Sequence, residues 1–140
     1  PPEVMMNTLL RSAAVAGALT LSLSAAAGAA TVRLVPLAGQ AIGTTVNGCA
    51  LPSALAAVTG IAPVEVPAIA AEQHVTGITE VRIALDARGS LTGTSVLSSS
   101  GNRWLDGAAL RTARLSTYRA EVRNCARIGG AYAFIVDFTQ

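Results

Sequence analysis

The sequence has no lysine. All ten basic residues are arginine, set against eight acidic ones, for a net charge of +2. So small an excess does not by itself argue for a nucleic-acid partner. Histidine occurs once, at His74, and cysteine twice, at Cys49 and Cys125. No second cysteine stands within a few residues of either, so a metal site with the usual ligand spacing is disfavoured. An enzyme needs convergent titratable groups, and the few carboxylates are scattered over strand exteriors and turns. Ser98, Ser99, Ser100 and Gly101 could suggest a nucleophile, but a strand-to-helix turn with capping serines explains them. The chain therefore reads as non-enzymatic and without a cofactor. Aromatics are scarce too: one Trp, two Tyr and two Phe. The core is expected to consist of Val, Ile, Leu and Ala around a few aromatic anchors. With 140 residues, one domain is expected.

Charged residues make up only 13% of the chain, partly because residues 12–32 carry no charge at all. That stretch has the pattern of a signal peptide. Met5 or Met6 is the expected start and Arg11 supplies the positive region. An apolar run of Ala, Val and Leu follows, and Ala27, Gly28 and Ala29 form a small-x-small cleavage pattern. Residues 1–29 are thus expected to export the protein to the periplasm. An uncleaved inner-membrane anchor is the alternative, since about 20 uncharged residues could just span a bilayer.

Export makes one disulfide the simplest reading of Cys49 and Cys125. Metal ligation or a catalytic thiol are the alternatives, with His74 the one candidate partner. Residues 30–61 form a weakly patterned arm. Val32, Leu34 and Leu37 suggest a short strand or extended apolar strip, and residues 52–58 a short helix. A Cys49–Cys125 bond would clamp this arm to the loop before the last strand.

From Pro63 onward the pattern strengthens. Pro63 and Pro67 fix an extended segment, and a short Ala-rich helix follows Pro67, ending near Gly77 with His74 as a surface residue. Val81, Ile83 and Leu85 alternate with Glu80, Arg82 and Asp86, the period of a half-buried strand. Gly89 suits a hairpin turn. The return strand runs through Leu91, Val96 and Leu97, with a bulge expected near Gly93. Asn102 or Ser100 caps a helix whose buried stripe is Trp104, Leu105, Ala108, Ala109, Thr112 and Leu115, while Leu110 falls off it. In the last strand, residues 131–138, Tyr132, Phe134, Val136 and Phe138 face the helix. Arg103, Arg111, Arg114, Arg119, Arg123 and Arg127 meet only Asp106 and Glu121 over the same stretch. They form either a solvated basic face or a surface for an acidic partner, lipid headgroups or cell-wall polymer.

Taken in order, residues 62–140 resemble the C-terminal domain of TonB, the energy-transducing protein of Gram-negative envelopes. The resemblance is carried by Pro63, Pro67, Ala70 and Gly77; by Val81, Ile83, Leu85, Asp86 and Gly89; and by Val96, Ser99 and Gly101. Leu105, Asp106, Ala108, Ala109, Leu110 and Ala113 follow, then Tyr132, Phe134, Val136 and Phe138. It implies an α+β fold, a three-stranded antiparallel sheet with two helices packed on it. It also implies a partner: an extended peptide of an outer-membrane transporter or other envelope protein, added as a strand to an open sheet edge. The matching edge is the last strand, with Ala131, Ala133, Ile135 and Asp137 on it. A domain whose edge is capped by its own arm, serving structurally in the envelope, is the alternative. The resemblance has departures. Val66 stands where the family has an aromatic, Ala120 where it has a proline, and the cysteine pair is an addition.

Overall fold

In the computed structural model, residues 30–37 and 51–139 are described. The expected signal peptide and Cys49 lie outside them. In chain order the elements are β1 (Thr31–Pro36), β2 (Ala57–Gly60), α1 (Ala68–Glu72), β3 (Ile78–Leu85), β4 (Leu91–Ser98) and α2 (Arg103–Leu115). Three short strands follow, β5 (Thr117–Arg119), β6 (Glu121–Arg123) and β7 (Ala126–Ile128), and then β8 (Gly130–Asp137). The fold is α+β, as expected, but the main sheet has four strands rather than three. Its order is β1-β8-β3-β4, antiparallel throughout. The fourth strand is the arm, whose Val32 and Leu34 pack against the core while the backbone pairs with β8.

The core is the helix-facing side of this sheet. Val81, Ile83 and Leu85 from β3 meet Tyr132, Phe134 and Val136 from β8 and Leu105, Ala108, Ala109 and Ala113 from α2. The alanines let α2 lie close to the sheet. Asn102 caps α2, its Oδ1 accepting from the N–H groups of Trp104 and Leu105 at 2.9 and 3.3 Å. The observed stripe is Leu105, Ala108, Ala109, Thr112 and Ala113. Leu115, expected within it, is the most exposed large apolar residue among the described residues, at 67%. Its place on the flank of the stripe and at the last helical position turns it away from the sheet. Leu110, by contrast, packs partly buried against the core.

The β3–β4 hairpin has two register shifts, one of them skipping Thr92 beside Gly93, where the bulge was expected. Its turn presses against β5. Gly89 has φ +83, and a Cβ there would come within 2.8 Å of the Tyr118 carbonyl oxygen. The short helix expected over residues 52–58 does not form. Ala54 instead exchanges both backbone hydrogen bonds with Val122, at 3.0 and 2.8 Å, and β2 pairs with β5. So short a segment gains more from cross-strand partners than from an isolated helical turn.

Candidate functional site

The expected site is the β8 edge, and its geometry follows from the register. β1 meets β8 in six residue pairs, from Thr31↔Asp137 to Pro36↔Tyr132. At one end the Leu37 N–H donates to the Ala131 carbonyl at 3.4 Å, and on the other side of β8 the Phe138 N–H donates to the Gly77 carbonyl at 2.8 Å. Antiparallel pairs alternate between bonded and non-bonded. The backbone groups of Ala131, Ala133, Ile135 and Asp137 therefore face β1, and those of Tyr132, Phe134 and Val136 face β3. The edge expected to be open, with Ala131, Ala133, Ile135 and Asp137 on it, is instead paired with β1. β8 is an interior strand, because β1 supplies both hydrogen-bonding backbone and the apolar side chains that hold it down.

Burial agrees with an interior position. Ala133 and Ile135 are only 5% and 7% exposed, although among the described residues no helix covers their face. Their cross-strand neighbours are Arg33 and Glu80 at Ile135, and Val35 and Arg82 at Ala133. Asp137 has a local role: its Oδ1 accepts from the Thr139 N–H at 2.9 Å and from the Thr139 hydroxyl. Those hydrogen bonds hold its carboxyl below the usual carboxylate range.

The sheet's actual edges are the outer sides of β1 and β4. On β1 the outward-facing backbone positions are those of Val32, Leu34 and Pro36, and Pro36 has no N–H to offer. This is where proline is tolerated in a sheet, and it blunts further pairing. β4 carries no charged residue, but its two register shifts break the regular ladder a new strand would need.

The six arginines expected as one patch have different surroundings. Arg103 stacks on the Trp104 ring, 4.5 Å from its centroid. Arg114 donates from Nε to Thr94 Oγ1 at 3.0 Å, and Arg111 lies exposed on α2. Arg123 is neutralised by buried Glu121, with Nη2 and Nε 2.6 and 3.0 Å from one carboxylate oxygen. The other oxygen of Glu121 accepts from the Tyr132 hydroxyl at 3.3 Å. Burial, the Glu121 charge and that hydrogen bond push the Tyr132 phenol up to about 12, against the opposing pull of Arg123. Arg119 and Arg127 line one pocket together with Arg88 from the β3–β4 turn, which no sequence period associates with them.

The serines before α2 serve structure. Asp106 accepts from Thr79 Oγ1 at 2.9 Å, from the Ser100 N–H and hydroxyl at 2.9 and 2.8 Å, and from the Ser99 hydroxyl. Partial burial pulls its pKa up, but these hydrogen bonds outweigh burial and the net shift is downward. His74 leaves α1 in a left-handed conformation, φ 51, on the rim of an apolar cavity of about 560 Å³. Among the described residues no group of three His, Cys, Asp or Glu side chains converges to hold a metal. Cys125 occupies the β6–β7 turn with Asn124, both at positive φ, and is not a free thiol.

Neither a curated protein nor a solved structure matches the chain significantly. The family model described as the Gram-negative bacterial TonB protein C-terminal region matches residues 63–139. That span holds every element from α1 to β8 and covers more than half of the sequence. The chain belongs to the TonB C-terminal domain family, as the ordered residues from Pro63 to Phe138 lead one to expect.

Proposed function

We propose that this protein is a periplasmic peptide-binding domain whose acceptor edge is complemented by its own arm. In this reading β1 occupies the place of an extended peptide beside β8. A segment of an outer-membrane transporter or another envelope protein binds by replacing it. The family supports an envelope protein-interaction role, and the single observation that carries the finer reading is the antiparallel pairing of β1 with β8. A peptide entering in the same direction would recover main-chain bonds to Ala131, Ala133, Ile135 and Asp137. Residues 1–29 act as the export signal. A Cys49–Cys125 disulfide holds the arm close after it detaches, which keeps the effective concentration of β1 high.

Self-complementation lowers apparent affinity by the fraction of molecules with the arm released. If docking of β1 is worth about 3 kcal/mol, the penalty is on the order of a hundredfold. Binding of transporter N-terminal peptides tests this. Val35→Pro, which strips β1 of an N–H directed at β8, should raise peptide affinity by about that factor. Ala133→Pro should abolish binding while the fold remains detectable. Equal, absent binding in wild type and Val35→Pro would favour the second reading, a structural envelope domain with a permanently closed edge, for which the burial of Ala133 and Ile135 speaks.

A further inference from the structure

We propose that the pocket formed by Arg88, Arg119 and Arg127 seats the phosphate of an anionic phospholipid and docks the domain on a membrane surface. The pocket has a volume of about 270 Å³, and Ala54 and Val122 are among its lining residues. Its three arginines come from three separate segments: the β3–β4 turn, β5 and β7. Two glycines make the convergence possible. A Cβ at Gly89 would strike the Tyr118 carbonyl oxygen at 2.8 Å, and one at Gly129 the Leu85 carbonyl oxygen at 2.6 Å. The turn carrying Arg88 is thereby seated against the backbone around Arg119 and the start of β8. No carboxylate lines the pocket. Among the described residues the one ion pair is Arg123–Glu121, so the three guanidiniums keep their charge for a ligand. Asp86 nearby accepts from the Arg88 and Ser90 backbone N–H groups.

Charge selects an anion, and guanidiniums suit phosphate because each presents a planar fork of donors to its oxygens. A lone carboxylate would leave most of the pocket's charge unmatched. The surroundings select a lipid over a soluble phosphate. Leu51, which lines the pocket, is 38% exposed, and Leu55 and Ile61 on the same segment are 49% and 55% exposed. Exposed Leu115 immediately precedes Ser116, whose Oγ accepts from the N–H of Ala62, the neighbour of Ile61, at 3.0 Å. Basic side chains beside exposed aliphatic ones are the arrangement with which proteins hold an anionic bilayer surface. This inference stands apart from peptide binding at β8.

Co-sedimentation of the full chain with phosphatidylglycerol and phosphatidylcholine vesicles tests it. The neutral vesicles report any attachment through the apolar residues 12–29, which is common to all variants. Wild type should prefer the anionic vesicles. The preference should fall roughly fivefold per arginine removed, and on the order of a hundredfold in Arg88→Gln/Arg119→Gln/Arg127→Gln. Arg127→Gln alone carries the test should the triple variant fail to fold. Leu51→Ser/Leu55→Ser should weaken vesicle binding while leaving inorganic phosphate binding, followed by arginine side-chain NMR shifts, unchanged. Equal preference in wild type and the arginine variants overturns the proposal. Phosphate binding without any gain on anionic vesicles overturns the lipid as the ligand.

Discussion

Replacing Val35 by proline should detach β1 and leave a residue-by-residue signature on β8. Val35 lies opposite Ala133 in a bonded pair, so its N–H points at β8. Proline removes that donor, worth about 1 kcal/mol net, and strands a carbonyl that burial keeps from water, at about 1–3 kcal/mol more. The sum is about 3 kcal/mol, or on the order of a hundredfold in the opening constant of the arm. Val35 is 40% exposed, so Val35→Ala should cost well under 1 kcal/mol and controls for the lost side chain. Amide hydrogen exchange by NMR reads the result. The N–H groups of Ala133 and Ile135, which face β1, should lose about a hundredfold in protection. Those of Tyr132, Phe134 and Val136, which face β3, should keep theirs. A loss shared equally by all five amides would mean that the sheet opens as a unit. Unchanged protection at Ala133 and Ile135 would mean that β1 does not shield them. Either result refutes the register and the self-complementation built on it.

Gly89→Ala should destabilise the domain by at least about 2 kcal/mol in thermal or urea unfolding, since it forces both a left-handed backbone and a 2.8 Å contact with the Tyr118 carbonyl oxygen. Asp106→Ala should cost roughly 3 kcal/mol in the same measurement, because it leaves the fully buried Thr79 hydroxyl and the Ser100 N–H without their acceptor. The folded-state pKa of Asp106 is depressed, so its contribution is complete above the ordinary carboxylate pKa and disappears as pH falls through the folded value. Wild-type stability should therefore fall on acidification below about pH 4, and that slope should shrink in Asp106→Ala. Reducing the proposed Cys49–Cys125 bond should lower stability by up to about 4 kcal/mol on the chain-entropy account. Free-thiol titration before reduction should find none; two free thiols would end that assignment.

The strongest periods in the sequence became the elements that carry the core. Val81, Ile83 and Leu85 alternate, and Tyr132, Phe134, Val136 and Phe138 repeat the pattern. Asn102 marks the helix start through its side-chain acceptor. Pairing over long separation was legible only as an alternative, an edge capped by the domain's own arm. Val32 and Leu34 suggest a strand, but nothing local says that it lies beside β8, about a hundred residues later. That one contact turns the expected open edge into an interior strand. The strands β5, β6 and β7 are three residues each, too short to establish a period. The charge cluster was legible as composition only. Spacing along the chain grouped Arg123 with Arg119 and Arg127, whereas folding neutralises Arg123 with Glu121 and brings Arg88 in from a distant turn.

The placement of β1 also sets how the domain answers tension. Thr31 pairs with Asp137, so the first described strand and the last end side by side. A pull on the chain at Ala30, directed away from the sheet, loads the Thr31 pair first and the remaining pairs one after another. Unzipping of this kind yields at a far lower force than sliding a whole strand along its neighbour. The arm would peel back to Pro36 before β3, β8 and α2 bear any strain. Peeling of the outer strand would uncover β8 while the interior of the sheet stays whole.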